Sequence, residues 1–130
     1  MGGNTDIVRG IYAAFGEGRI GDIVGRIAEE TTFIQPGGRD IPWAGTYRTP
    51  AEVEAFFGKL ANAVDVTDFT PQEYVEQDGV VVALGKWAGV AKPTGKPFAS
   101  NWAMTWKLED GKVWFYEALE DTDTIAQAFR

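Results

Sequence analysis

The sequence predicts an α+β domain in which helices come first and an antiparallel meander follows. Three observations carry that expectation. Apolar residues recur at helical spacing in the first half, as in Val8, Ile11, Tyr12 and Phe15. Three hairpin signals, Asp78-Gly79, Thr94-Gly95 and Asp110-Gly111, separate β-rich runs in the second half. The chain has 130 residues, the length of one ordinary domain, and no repeat, low-complexity tract or linker divides it, so residues 1–130 read as a single domain.

The elements follow in order. Asn4 or Thr5 is a plausible N-cap for the first helix, and Gly16 and Gly18 break its pattern. A second short helix places Ile20, Ile23, Val24 and Ile27 on one face. Thr31 to Gln35 reads as a strand, ended by Pro36, Gly37 and Gly38, and a loop carrying Trp43 and Tyr47 runs on to Arg48. Thr49-Pro50-Ala51-Glu52 is a capping box with proline at the first helical position. Behind it Val53, Phe56, Phe57, Leu60 and Val64 form one apolar stripe. Four strands are expected near 67–77, 80–91, 97–108 and 112–119, and a last short helix starts at Asp121 or Thr122 and carries Ile125 and Phe129.

Composition narrows the function. The formal net charge is −7 and the pI about 4.5, with scattered Lys and Arg, which disfavours a phosphate backbone as partner and excludes nucleic acid from the reading. Cysteine and histidine are both absent, which removes thiolate chemistry, the usual neutral-pH proton shuttle and the commonest metal ligand. No metal or other cofactor is expected. No apolar run is long enough to span a bilayer and no signal peptide opens the chain, so the expectation is a cytoplasmic protein without a membrane partner.

The strands point to a pocket. Trp102, Met104, Trp106 and Leu108 alternate with Asn101, Ala103, Thr105 and Lys107, so one large apolar face must pack on the helices. A long twisted sheet does not follow rigid helices along its whole length, which leaves room at one end for a cavity lined by such rings. The last strand is apolar on both faces, with Val113, Phe115 and Leu119 alternating with Trp114 and Tyr116, so its outer face needs a cover, most simply a second copy of the chain. Two registers are open for that strand. A two-residue Asp110-Gly111 turn sets Met104 opposite Glu117; a three-residue loop with a glycine bulge sets it opposite Tyr116, with Ala118 and Glu120 on the same face. The pocket carboxylate is therefore either Glu117 or Glu120.

The chain resembles the nuclear transport factor 2-like superfamily, and within it the SnoaL-like polyketide-cyclase and ketosteroid-isomerase-related proteins. The resemblance rests on Ile11-Tyr12-Ala13-Ala14-Phe15, on Glu29-Glu30-Thr31-Thr32-Phe33, and on Pro42-Trp43-Ala44-Gly45-Thr46-Tyr47-Arg48. It continues through Glu54-Ala55-Phe56-Phe57, Thr94-Gly95-Lys96-Pro97-Phe98, Asp110-Gly111-Lys112-Val113 and Glu120-Asp121-Thr122. It implies a cone-shaped curved antiparallel sheet packed on three N-terminal helices, a hydrophobic pocket at the wide end, and a homodimer through the outer sheet face. It favours the bulged register, with Tyr116 and Glu120 toward the pocket.

Catalytic groups carry over poorly. Ketosteroid isomerases of this type use a carboxylate base before a proline on the first strand; the matching residue here is Gln35, which takes no proton at neutral pH. Their first-helix tyrosine falls at Ile11 or, one residue on, at Tyr12, and their protonated aspartate falls near Met104. Relatives that resemble scytalone dehydratase need histidine, and those that resemble limonene epoxide hydrolase need an Asp-Arg-Asp set, for which no meander strand supplies the arginine.

Glu120 is the best remaining candidate base, since a carboxylate desolvated near tryptophans has a raised pKa. Tyr12 is the candidate donor to a ligand carbonyl. Gln35 offers hydrogen bonds to a polar ligand group, and Trp43 and Tyr47 either lid the mouth or anchor their loop. Phe15, Phe56, Trp87, Trp102, Met104, Trp106 and Tyr116 complete the candidate lining for a small apolar ligand. Three functional readings remain open: an isomerase, cyclase or hydrolase-type enzyme acting on an apolar carbonyl- or epoxide-bearing molecule; a protein that holds such a ligand without chemistry; and a dimeric association module.

Overall fold

The computed structural model describes residues 3–130 of the chain. Helices α1 (Gly3–Gly16) and α2 (Ile20–Val24) lead into strands β1 (Ile27–Gln35) and β2 (Gly45–Tyr47), then helix α3 (Pro50–Ala63). The meander follows as β3 (Val64–Gln77), β4 (Val80–Ala91), β5 (Pro97–Glu109) and β6 (Lys112–Glu120), and α4 (Thr122–Ala128) closes the chain. The strands form one curved, unclosed sheet in the order β2-β1-β6-β5-β4-β3. This is the α+β architecture that the helix stripes and hairpin signals predict. One pairing departs from an all-antiparallel sheet: β1 lies parallel to β6, because α3 and the rest of the meander separate them and a long connection permits parallel entry.

Local chemistry explains most boundaries. The Thr49 hydroxyl accepts from the Glu52 N–H at 3.1 Å, while the Glu52 carboxylate reaches past Thr49 to the Arg48 N–H at 2.8 Å. Asp121 caps α4 through the Thr124 N–H at 3.0 Å. Asn4 and Thr5, expected as caps, lie inside α1. There the Thr5 N–H and hydroxyl both donate to Glu76 on β3, at 2.9 and 2.6 Å, a partner no local reading supplies. Ile27 opens β1 instead of ending the second helix, and Val64 starts β3 instead of completing the α3 stripe. Strand β2 lies within the expected loop; three residues are too few for an alternation pattern, and pairing with Phe33–Gln35 is what defines it.

The inner sheet face packs on α1 and α3 around Val8, Ile11, Val53, Phe56, Trp106, Leu108 and Val113, all buried. Large rings fit there because β4 carries glycine where they lie. A Cβ on Gly85 would stand 2.3 Å from Cζ2 of Trp102 and 2.6 Å from the Thr70 carbonyl oxygen. On β4, Gly85 pairs directly with Trp102, so the ring occupies the place of the missing side chain.

The β5–β6 hairpin decides which residues face inward. Asp110 and Gly111, at φ 51° and 77°, form a two-residue turn with Glu109 opposite Lys112. The register then slips: Leu108 pairs with Val113 but Lys107 pairs with Phe115, so Trp114 is an extra residue on β6. Beyond it Trp106 faces Tyr116, Met104 faces Ala118 and Trp102 faces Glu120. Neither sequence register is correct. The turn is the two-residue one, and the bulge sits within β6 instead of at the glycine. The inner set is nevertheless Tyr116, Ala118 and Glu120, because a slip of two residues preserves the face.

Two glycine substitutions separate a required glycine from a tolerated one. Gly85→Ala is expected to lower stability by about 1–3 kcal/mol through overpacking against Trp102. Gly58→Ala, on an open face of α3, is expected to raise it by up to about 1 kcal/mol. Urea unfolding of both variants measures the difference, and equal effects would refute this account of β4.

Candidate functional site

Between the inner sheet face and the helices lies a cavity of about 60 Å³. That holds on the order of four waters and is well short of the roughly 150 Å³ that admits a benzene-sized ring. Its walls are aromatic and aliphatic. Ile11, Tyr12 and Phe15 come from α1, Phe56, Phe57 and Leu60 from α3, and Phe33 from β1. Trp87, Met104, Trp106 and Tyr116 come from the meander, and Trp43 from the loop before β2. Four residues with polar side-chain groups line this apolar space: Glu120, Gln35, Tyr12 and Tyr116.

Glu120 ends β6 and is held from both sides. Its Oε1 accepts from the Trp87 indole N–H at 2.8 Å, and its Oε2 accepts from the Gln35 amide at 2.7 Å. In sheet order Gln35 sits on a neighbour of β6 and Trp87 two strands away on the other side, so the clamp spans β1 to β4. Gln35 also donates to the Pro36 carbonyl at 3.2 Å, which fixes its amide nitrogen toward the carboxylate. Burial pushes the Glu120 carboxyl above its ordinary value, and the Gln35 and Trp87 hydrogen bonds pull it partly back. An ionised carboxylate has about four acceptor sites; these two donors leave roughly half of them for a ligand. Glu117, the alternative pocket carboxylate, pairs with Thr105 and Ile34 on the opposite face of the sheet.

Tyr12 sits on α1 between two meander partners. Its hydroxyl accepts from the Trp106 indole at 2.8 Å and donates to Sδ of Met104 at 3.2 Å. A thioether is a weak acceptor, so this proton is readily redirected to a better one. Burial raises the Tyr12 pKa despite the Trp106 hydrogen bond, so the group stays a neutral donor. Tyr116, stacked on Phe33 at 4.0 Å, has its pKa raised by burial, and then by the charges of the nearby Tyr12 and Glu120. It lines the cavity.

Of the residues singled out in the sequence, Tyr12, Phe15, Gln35, Trp43, Phe56, Trp87, Met104, Trp106, Tyr116 and Glu120 line the cavity. Two do not. Tyr47 is buried behind Phe56, and its hydroxyl donates to the Trp43 carbonyl at 2.7 Å, so it anchors the loop instead of covering a mouth. Trp102 stacks on Phe69 at 5.3 Å and packs on Tyr12, outside the lining; its indole N–H is buried without a partner. Sequence reasoning missed Ile11, Ile23, Phe33, Phe57, Leu60 and Phe69 as lining. The stripe that placed Phe57 on the inner face of α3 was the available signal; Phe69 had none, because bulges interrupt alternation along β3. Among the described residues no group of three or more acidic side chains is placed to hold a metal ion, and no helix is long and apolar enough to cross a membrane.

Comparisons with known proteins agree with this geometry. Residues 8–116 match the SnoaL-like domain family. Patulin synthesis protein F of Aspergillus clavatus is 30% identical over 102 residues, which are 75% of this chain and 52% of that protein. The chain thus spans about half the length of the curated relative it matches. An NTF2-like protein from Burkholderia xenovorans LB400 superposes with a TM-score of 0.88 at 29% identity, covering 98% of this chain and 95% of that one. TerC, co-crystallised with polyporic acid, shares the fold with a TM-score of 0.85 at 21% identity over 97% of each chain. With its cone of curved sheet and helices and a family match that spans most of its length, this chain belongs to the SnoaL-like domain family of the NTF2-like superfamily.

Proposed function

We propose that the chain is an acid–base enzyme that moves a proton beside a carbonyl or epoxide oxygen of a small apolar molecule, as an isomerase, cyclase or hydrolase-type catalyst. The observation that carries this reading is a largely desolvated carboxylate with free acceptor sites in the same apolar cavity as two tyrosines. Glu120 takes the proton. The hydroxyls of Tyr116 and Tyr12 donate to the oxygen on which charge develops, an arrangement worth most in a water-poor site. Gln35 and Trp87 orient the carboxylate. Raising its pKa toward neutrality strengthens it as a base in a chain that has no histidine. The SnoaL-like family membership and the match to a protein named for patulin synthesis support small-molecule chemistry. A second reading, ligand binding without turnover, is favoured by the fact that both Glu120 oxygens already accept a hydrogen bond.

The reading extends to assembly and location. We infer a homodimer through the outer sheet face, supported by Leu84, Trp114 and Leu119, large apolar side chains 38%, 43% and 57% exposed. A cytoplasmic location belongs to the same proposal.

Exchange at the carbon beside a carbonyl tests the chemistry. Wild-type protein in D₂O is expected to speed α-deuteration of a simple ketone such as 2-tetralone, read by NMR. Glu120→Gln is expected to reduce this about 10²–10⁴-fold. Equal rates for wild type and variant reject Glu120 as the base, and binding of 2-tetralone with no exchange by the wild type selects the binding-only reading.

The pH dependence of stability follows from the raised Glu120 pKa. Between the ordinary carboxylate value and the raised one, the folded state holds more proton than the unfolded state. Unfolding free energy from this group therefore falls as pH rises through that window, and the full penalty is present above it. The stability of wild type minus that of Glu120→Gln should decline as pH rises from about 4. Urea titrations across pH measure it, and a flat or rising difference contradicts the assignment.

For the dimer, sedimentation velocity at micromolar concentration should give twice the chain mass, and Leu84→Glu with Leu119→Glu should give a folded monomer. A wild-type monomer at high micromolar concentration rejects the interface.

A further inference from the structure

We propose that ligands enter the cavity between α1, α3 and β3, and that the cognate molecule is a neutral carbonyl compound with an extended apolar tail lying in the groove outside that entrance. The inference rests on the reading that the cavity takes a small apolar carbonyl compound, and it specifies the shape of that compound.

The first observation is size. At about 60 Å³ the cavity is too small for any ring or chain of the class proposed, so some of its wall must move. The second is which wall can move. Most lining side chains are fully buried and locked by packing; the half-buried ones are Phe15, Phe57, Phe69, Met104 and Glu120. Glu120 is fixed by its two hydrogen bonds, and Met104 lies on β5 under the Tyr12 hydroxyl. That leaves three phenylalanines, one each from α1, α3 and β3. Their rings meet edge to face, with centroids 5.0 Å apart for Phe15 and Phe69 and 6.0 Å for Phe15 and Phe57.

The third observation places the outside of this gate. Phe15, Phe57 and Phe69, with Leu60, also line a surface groove whose other apolar walls are Ile20, Val64 and Val66. The same side chains thus form the outer wall of the cavity and the inner wall of the groove. Three further depressions among the described residues touch the cavity at one or two residues each. The depression on the outer sheet face shares Trp87 and Glu120, which are bonded to each other and close that way. Rotating the phenylalanine rings joins cavity and groove into one apolar channel, with the oxygen-binding groups at its inner end. A ligand that fills it has its carbonyl at Tyr12, Tyr116 and Glu120 and its hydrocarbon across Leu60, Val64 and Val66. The groove rim carries Asp68 and Asp65, the latter paired with Lys92 at 3.7 Å, and the net negative charge left there disfavours an anionic end on the tail.

A homologous series of 2-alkanones from 2-hexanone to 2-undecanone tests the channel, with binding to the full chain read by quenching of tryptophan fluorescence. Affinity is expected to rise about fourfold per added methylene. Dodecanoate is expected to bind at least tenfold more weakly than 2-undecanone. Val66→Asp, at an exposed strand position, should flatten the dependence on chain length while circular dichroism confirms the fold. Affinity independent of length, dodecanoate binding as tightly as 2-undecanone, or a length dependence that survives Val66→Asp, overturns the proposal. α-Deuteration of 2-hexanone, followed in parallel, reports on the acid–base reading separately. Exchange without a length dependence removes only the tail, and a length dependence without exchange removes only the chemistry.

Discussion

One extra residue in β6 determines what the interior of this protein can do. Trp114 is accommodated as a bulge between Val113 and Phe115, and everything after it is turned over. Without the bulge, the two-residue turn at Asp110-Gly111 would continue its register and set Phe115, Glu117 and Leu119 on the helix side. With it, Tyr116, Ala118 and Glu120 face inward, and Phe115, Glu117 and Leu119 face out. A one-residue slip in a strand exchanges its two faces completely. The inward placement of Glu120 and Tyr116, and the apolar character of the outer face, are consequences of the same irregularity.

The buried carboxylate then constrains its neighbours. Moving an ionised carboxylate out of water is costly unless hydrogen bonds replace its hydration. Two donors do so, and both come from residues that would otherwise have their own unmet needs: a buried indole N–H on β4 and a buried amide on β1. Gln35 is a hydrogen-bond donor to a carboxylate on the adjacent strand, so the amide and the carboxylate tie β1 to β6 at this end of the sheet.

Much of the fold was legible in the sequence because its signals are local. The Thr49–Glu52 cap, the α3 stripe and the glycine turns depend on residues within a few positions of each other, and apart from Val64, which opens β3, they lie where expected. What was not legible depends on distant partners. The β6 sequence alternates apolar residues on both faces, so no pattern marks where a bulge belongs, and the correct inner set emerged from a register two residues out. The anchoring of Thr5 by Glu76 spans 71 residues. In the site, the large rings were easy to nominate but not to sort. Trp87 and Trp102 look alike in sequence, yet Trp87 turns its N–H to Glu120, and Trp102 packs against Gly85, outside the cavity lining.

The contact between Tyr12 and Met104 bears on how such a site favours a transition state over a substrate. A thioether sulfur is a poor hydrogen-bond acceptor, so little is lost when the Tyr12 proton leaves it. A neutral carbonyl oxygen gains modestly from that proton, and an oxygen carrying developing negative charge gains more, because charge-assisted hydrogen bonds are about twice as strong. On the proposed acid–base reading the interaction would grow as charge develops on the oxygen, the condition for lowering a barrier instead of only tightening binding. A histidine or carboxylate at position 104 would compete for the same proton and erase that difference. Methionine supplies bulk and a resting partner for the hydroxyl without competing for its proton.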